Sequence, residues 1–228
     1  RVCEEGKEKR GVMQILKATE LQDEKVTALF YAPPGMGKTT LLGSLPGRTL
    51  IIDVDKGTSV LKGNDHVDIV RLSEDLSDLP AILKELQASC PYDNVCIDSL
   101  SELERGMLTY FGRIGKNDGV PEMGHYQKVD FKIMDYCRQF RNLPCNVIFT
   151  AWEQQVEVIA VTGEKYTQAR PMLRDKTVNN VCGLCDIVGQ VIVSAKDGKH
   201  YVRLQGDNNV IAKDRIRKRK YCEFGEAL

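Results

Sequence analysis

The chain has 228 residues, 42% of them hydrophobic and 28% charged, which is ordinary globular composition with enough apolar material to bury a sizeable core and excludes disorder and fibre. Thirty-two Lys and Arg balance thirty-two Asp and Glu, so no net field draws the molecule onto nucleic acid or a membrane, and any such attraction must come from a local patch. The longest apolar runs, such as Ala28 to Tyr31 and Val147 to Phe149, fall far short of the roughly 20 residues a bilayer span needs. The start, Arg1 to Arg10, mixes both signs of charge without the apolar stretch of a secretory signal, so the expectation is a cytosolic protein that meets no membrane.

Residues 1–23 precede the first apolar run and read as an N-terminal extension. Val26 to Tyr31, Thr49 to Asp53, Val67 to Leu72, Asn94 to Ile97 and Asn146 to Thr150, each bounded by Gly, Pro, Asp or Asn, predict five buried strands. Between them Lys38 to Ser44, Leu79 to Ala88, Leu100 to Tyr110 and Tyr126 to Phe140 predict helices, with apolar residues at helical intervals such as Phe131, Met134 and Cys137. This alternation predicts an α/β fold, a mostly parallel central sheet covered on both faces by helices.

After Trp152 the runs shorten to Val156 to Val161, Ile187 to Val193 and Tyr201 to Leu204. The turn signals Thr162-Gly163 and Asp197-Gly198 then predict antiparallel strands at the C-terminal end of the sheet. Gly112 to Gly124 and Gly163 to Asn180 read as two long loops. Arg215 to Lys220 carries five basic residues in six, and 217–228 reads as a basic and mixed tail, which leaves 24–216 as the core.

Of eight cysteines, Cys96 and Cys145 adjoin strand-like runs, where a free thiol behaves as a small buried hydrophobe, so reduced thiols are expected. Cys182 and Cys185 have metal spacing, but a zinc site takes about four ligands and no second pair is visible. His66, His125 and His200 are scattered, and Cys222 is the nearest thing to a third ligand. The plain reading is two thiols in a helix or loop.

The chemistry concentrates in Ala32-Pro33-Pro34-Gly35-Met36-Gly37-Lys38-Thr39-Thr40, which follows a strand and opens a helix, the context of a phosphate-binding loop. Gly35 and Gly37 let backbone N–H groups close on an anion where a side chain would collide. Lys38 adds a full positive charge to the helix start, and Thr39 supplies a hydroxyl for magnesium. The usual pattern opens with glycine, and here alanine stands at 32. The segment from Pro34 to Thr40 is therefore expected to bind a nucleotide together with Mg2+.

Magnesium takes one or two protein ligands near the phosphates, and Asp98, at the end of Asn94-Val95-Cys96-Ile97-Asp98-Ser99, fits beside Thr39. Asp98 or Ser99 is also suited to cap the helix that follows. Hydrolysis needs a group that orients a water, and Leu50-Ile51-Ile52-Asp53-Val54-Asp55 ends its strand with two carboxylates. These face the same side if the strand continues, and Asp55 is the favoured one by position.

In order, the phosphate loop, Ile52-Asp53-Val54-Asp55, Cys96-Ile97-Asp98-Ser99, Val147-Ile148-Phe149-Thr150-Ala151-Trp152-Glu153 and Ile211-Ala212-Lys213-Asp214-Arg215 resemble a RecA-like P-loop ATPase. More narrowly they resemble the short phage nucleotide-binding proteins that include single-strand annealing recombinases. The resemblance implies a DNA-stimulated ATPase, encoded by a phage or prophage and acting in the cytoplasm of a bacterial host. It implies Asp55 as catalytic base where that family has glutamate, and a sensing contact from Thr150, Glu153 or Gln154, with Trp152 a second departure. It further implies that Lys213 and Arg215 reach the γ-phosphate of a neighbouring subunit in a ring or filament.

The resemblance also implies single-stranded DNA as partner, together with a single-stranded-DNA-binding protein. DNA would run through the two loops, with Arg113, Lys116, Arg170, Arg174 and Lys176 on phosphates and Phe111, Tyr126 or Tyr166 on bases. Two other readings stay open: a nucleotide-switched annealing module with little hydrolysis, and a small-molecule P-loop kinase.

Overall fold

The computed structural model describes residue 17, residues 25–160 and residues 162–228; the expected extension over 1–23 lies outside the described residues apart from Lys17. The phosphate-loop strand β1 (Thr27–Ala32) is followed by α1 (Lys38–Gly43), β2 (Thr49–Asp53), β3 (Val67–Arg71) and α2 (Leu79–Ala88). Next come β4 (Asn94–Asp98), α3 (Leu100–Ile114), α4 (Met123–Arg141), β5 (Asn146–Ile159), β6 (Lys165–Pro171) and α5 (Asp175–Leu184). The chain closes with β7 (Ile187–Val193), β8 (His200–Arg203), β9 (Lys213–Asp214) and β10 (Tyr221–Glu223).

One sheet carries the order β10-β8-β7-β1-β5-β4-β2-β3, with β6 paired to β5 and β9 to β7. Strands β1 to β5 and β7 run parallel, whereas β8, β9 and β10 pair antiparallel, as the turn signals predict. Strand β5 thus separates the phosphate-loop strand from β4, and the chain leaves β1 toward β2 on one side and reaches β7 on the other. That reversal makes a crevice at the carboxyl end of β1, where open α/β sheets bind ligands.

The continuous apolar runs reflect burial on both faces. Leu29, Tyr31, Leu50, Ile52, Val95 and Ile97 pack into one core with the inner faces of α2 to α5. Ala28, Phe30, Ile51 and Cys96 point the other way, into a smaller core with Leu41 and Leu42 of α1, Cys222 and Ala227. The Tyr31 hydroxyl donates to Ala169 O at 3.1 Å and Ile211 O at 2.9 Å, tying β6 and the later chain to β1.

Several expectations change. Val67 to Leu72 is the last strand of the sheet and is only partly covered, with Ile69 41% exposed. Phe131, read as a core position, is 79% exposed, because α4 buries the stripe Val129, Ile133, Cys137 and Phe140 instead. The segment read as one loop from Gly163 to Asn180 holds β6 and most of α5, and the loop from Gly112 narrows to the stretch between Ile114 and Met123. Val156 to Val161 is no separate strand: β5 runs on to Ile159 and leaves the sheet as a hairpin with β6.

The stretch 217–228, read as a tail, contributes β10 to the sheet beside β8. All seven described cysteines are free. Cys182 and Cys185 lie in the larger core and Cys222 in the smaller, and among the described residues no group of three metal-ligating side chains forms. No described helix is long and apolar enough to cross a membrane.

Candidate functional site

The strands β1, β2, β4 and β5 bring Ala32, Asp53, Asp98 and Trp152 to the same end of the sheet: Ala32 aligns with Trp152, and Asp53 with Asp98, while Ile97 opposite Phe149 leaves Asp98 two residues short of the Trp152 level. Everything after those positions therefore converges on one edge. From β1 comes the phosphate loop, in which Gly35 and Gly37 adopt φ of 79° and 85°, a left-handed backbone that a side chain would strain. A Cβ on Gly37 would meet the His200 ring at 3.1 Å and Phe224 at 3.5 Å, so the C-terminal strands wall the loop on its β7 side. The Nδ1 atom of His200 is buried there without a hydrogen-bond partner among the described residues.

Lys38 folds back under the loop and donates to Ala32 O at 3.0 Å and Pro33 O at 3.1 Å. Burial pushes its ammonium below the ordinary lysine range, against the pull of Asp98, Asp55 and Glu153. Thr39 Oγ1 donates to Asp98 Oδ2 at 2.7 Å, and Thr150 donates to the other oxygen of Asp98 from the neighbouring strand. Burial raises the Asp98 carboxyl above its usual range, while the bonds from Thr150 and Thr39 and the charge of Lys38 pull it back. A hydroxyl and a carboxylate, both hard oxygen ligands, thus sit together beside an anion cradle, which is the donor set magnesium takes next to phosphates.

The two carboxylates after β2 part company, because the strand stops at Asp53 and they no longer share a face. Asp53 is fully buried and closes the following turn, accepting from Gly57 N at 3.2 Å and Thr58 Oγ1 at 2.7 Å. Asp55 turns toward the site: Oδ1 accepts from Ser99 N at 3.2 Å and Ser99 Oγ at 2.9 Å, and Oδ2 accepts from Trp152 Nε1 at 3.2 Å. Ser99 also caps α3, accepting from Glu102 N at 3.3 Å, so the cap falls to the serine and Asp98 stays with the site. The Glu102 carboxyl is raised by partial burial and then by the charge of Asp55.

Of the sensing candidates, Thr150 touches Asp98, Glu153 accepts from Gln190 Nε2 at 2.8 Å, and Gln154 donates to the carbonyls of Pro171 and Leu173. Ser99, Glu102, Gln190 and His200 escape a linear reading, since each joins the site only through strand order or a neighbouring element. Ser99 alone had a signal, its place next to Asp98.

The remaining candidates lie elsewhere. Lys213 and Arg215 sit where β9 meets the start of β7, Lys213 opposite Val188, with Lys213 Nζ 3.4 Å from Gly183 O. Arg113 lies in the last turn of α3, Lys116 in the loop after it and Lys176 in the first turn of α5, all three exposed. Arg170 pairs with Asp175, and Arg174 bonds Asp130 through Nε at 2.6 Å while stacking on Tyr126 at 4.6 Å.

The fold and this edge define a P-loop ATPase domain of α/β architecture with a mostly parallel central sheet. The AAA_24 family, described as an AAA domain, matches residues 24–216, and the chain belongs to that family. Among solved structures it is similar to a KaiC-like protein from Pyrococcus horikoshii OT3, at 15% identity and a TM-score of 0.45 over 81% of this chain and 80% of that one. It is also similar to the flagellar accessory protein FlaH from Methanocaldococcus jannaschii, at 9% identity and a TM-score of 0.43 over 86% of this chain and 83% of that one. No curated protein matches the chain.

Proposed function

We propose that this protein binds and hydrolyses ATP as a self-assembling RecA-like ATPase acting on single-stranded DNA, in recombination or annealing of the phage type. The observation that carries the assembly is the position of Lys213 and Arg215. Val188, the partner of Lys213, aligns with Leu29 of β1, and Arg215 N bonds Asp186, whose own N bonds Thr27 O. The pair therefore lies at the opposite edge of the sheet from its own phosphate loop, roughly 10 Å and 16 Å below Ala32 at about 3.3 Å per residue. Cations so placed serve a neighbour's nucleotide rather than their own, and the exposed Arg215 faces outward for it.

In this reading the backbone of Pro34 to Thr40 and Lys38 hold the phosphates, Thr39 and Asp98 hold magnesium, and Asp55 orients the attacking water. Bound magnesium would neutralise charge on the phosphates. Thr150 keeps Asp98 aimed at Thr39, Lys213 and Arg215 from the next subunit stabilise the transition-state charge, and the exposed Arg113, Lys116 and Lys176 track DNA phosphates. A single-stranded-DNA-binding protein would supply the strand.

A second reading, a nucleotide-switched annealing module, draws on the three donors that already engage Asp55. Steady-state ATP hydrolysis with and without single-stranded DNA, across protein concentration and with Lys38→Ala as blank, separates the two. DNA stimulation that grows with protein concentration supports the ATPase. Nucleotide binding without turnover supports the switch.

A further inference from the structure

Two of the places where the chain departs from the RecA-like pattern, Asp55 and Trp152, are bonded to each other, although 97 positions separate them. We propose that Trp152 is a positioning residue, whose indole N–H sets the shorter Asp55 carboxylate in place for the attacking water; this rests on the reading of Asp55 as base.

A carboxylate offers about four lone-pair sites, and the donors from Ser99 and Trp152 take three, leaving one for water. Asp55 N also donates to Asp98 O at 3.2 Å, which draws the residue against the end of β4. The indole reaches it from β5, the strand beyond β4, so Asp55 is bonded by residues from two neighbouring strands. Trp152 is itself fixed: its N donates to Ser101 Oγ at 2.9 Å, its carbonyl accepts from Met172 N at 2.6 Å, and Arg105 stacks on its ring at 4.8 Å. A donor held that firmly selects one carboxylate position. An added methylene at residue 55 would drive the carboxylate into the indole, so aspartate and tryptophan suit each other as glutamate and tryptophan would not.

The test is a cycle of steady-state ATP hydrolysis on the full chain with Trp152→Phe, Asp55→Glu and the double variant. Trp152→Phe keeps a ring and drops the donor; kcat is expected to fall about tenfold or more while KM for ATP stays within about twofold. Asp55→Glu alone is expected to lose about tenfold as well, and the double variant to be faster than either single one. Trp152→His, which keeps a ring N–H, is expected to recover part of the loss.

Effects that simply multiply, or wild-type kcat in Trp152→Phe, overturn the inference. Binding of a fluorescent nucleotide checks that each variant is folded. Should Trp152→Phe fail that check, Asp55→Glu carries the test alone, and a rate at or above wild type overturns the inference. Asp55→Asn separates the two levels: turnover like wild type overturns the reading of Asp55 itself, whereas loss there with Trp152→Phe unaffected overturns only the role of Trp152.

Discussion

Thr39 Oγ1, in the first turn after the phosphate loop, lies 2.7 Å from Asp98 Oδ2 at the end of β4, with a second threonine, Thr150, on the other oxygen. The contact joins two motifs that are 59 positions apart and on non-adjacent strands, and it exists because β5 both separates β1 from β4 and supplies Thr150. Removing the Thr39 hydroxyl with Thr39→Val should lower magnesium affinity by at least the roughly 10–100-fold typical of losing even an outer-shell partner. Nucleotide binding in excess EDTA should hardly change, because Lys38 and the loop backbone are untouched. Titration of magnesium against a fluorescent ATP analogue checks both halves.

In the proposed assembly Lys213 and Arg215 serve a neighbour's phosphate loop, so two inactive variants should repair each other. Lys38→Ala keeps the basic pair and loses the phosphate site; the double variant Lys213→Ala, Arg215→Ala does the reverse, and a trans cation is worth roughly 10³ in rate where it is known. Each alone should be nearly silent in ATP hydrolysis. Their mixture should regain a substantial part of wild-type turnover, and an additive, silent mixture would show that no site is shared.

The parallel core was legible because a strand buried on both faces must be apolar throughout, as Ala28 to Tyr31 and Val147 to Phe149 are. The phosphate loop was legible because only glycine relieves the backbone at 35 and 37. Strand β6 and helix α5 were not: Lys165 to Arg170 alternates polar residues because the hairpin stands partly in solvent, and α5 buries a short stripe of Thr177, Val178, Val181 and Cys182. Phe131 misled for a related reason, since its apolar side chain fits a helical interval that α4 does not bury. The contact between Trp152 and Asp55 had no local signal, because it depends on β2, β4 and β5 lying side by side.

The five basic residues expected on DNA divide by what the fold does with them. Arg174 bonds Asp130 and stacks on Tyr126, and Glu104 accepts its backbone N at 3.1 Å, so it holds α4, α5 and α3 together. Arg174→Ala should therefore cost stability, about 1–3 kcal/mol for a charged hydrogen bond that leaves Asp130 without its partner, visible as a lower urea midpoint. Arg113→Ala and Lys116→Ala, at exposed positions, should leave the midpoint unchanged. If they touch phosphates, each should lower the salt slope of single-strand binding by roughly 0.7.

Two buried carboxylates outside the site give the fold opposing pH dependences. Burial raises the Glu104 carboxyl above its ordinary 4.5, despite the bonds it accepts from Arg174 N and Thr177. Its protonated form is therefore favoured in the fold, so its contribution is complete below about 4.5 and is lost as pH rises through the folded value. Burial would raise Asp214 too, but the side chain of Arg219 and the N–H groups of Arg217 and Arg219 hold it below its ordinary 3.8. Its contribution is present above about 3.8 and is lost as pH falls through the folded value. Glu104→Gln should flatten the loss of stability as pH rises above about 4.5. Asp214→Asn should cost about 1.5–3 kcal/mol at pH 7, the range of charged hydrogen bonds, and should remove the loss at acid pH. Urea unfolding midpoints across about pH 3 to 8, which covers both sides of the ordinary carboxylate range, check both, and a parallel pH profile for the two variants would show that the carboxylates do not titrate as their surroundings require.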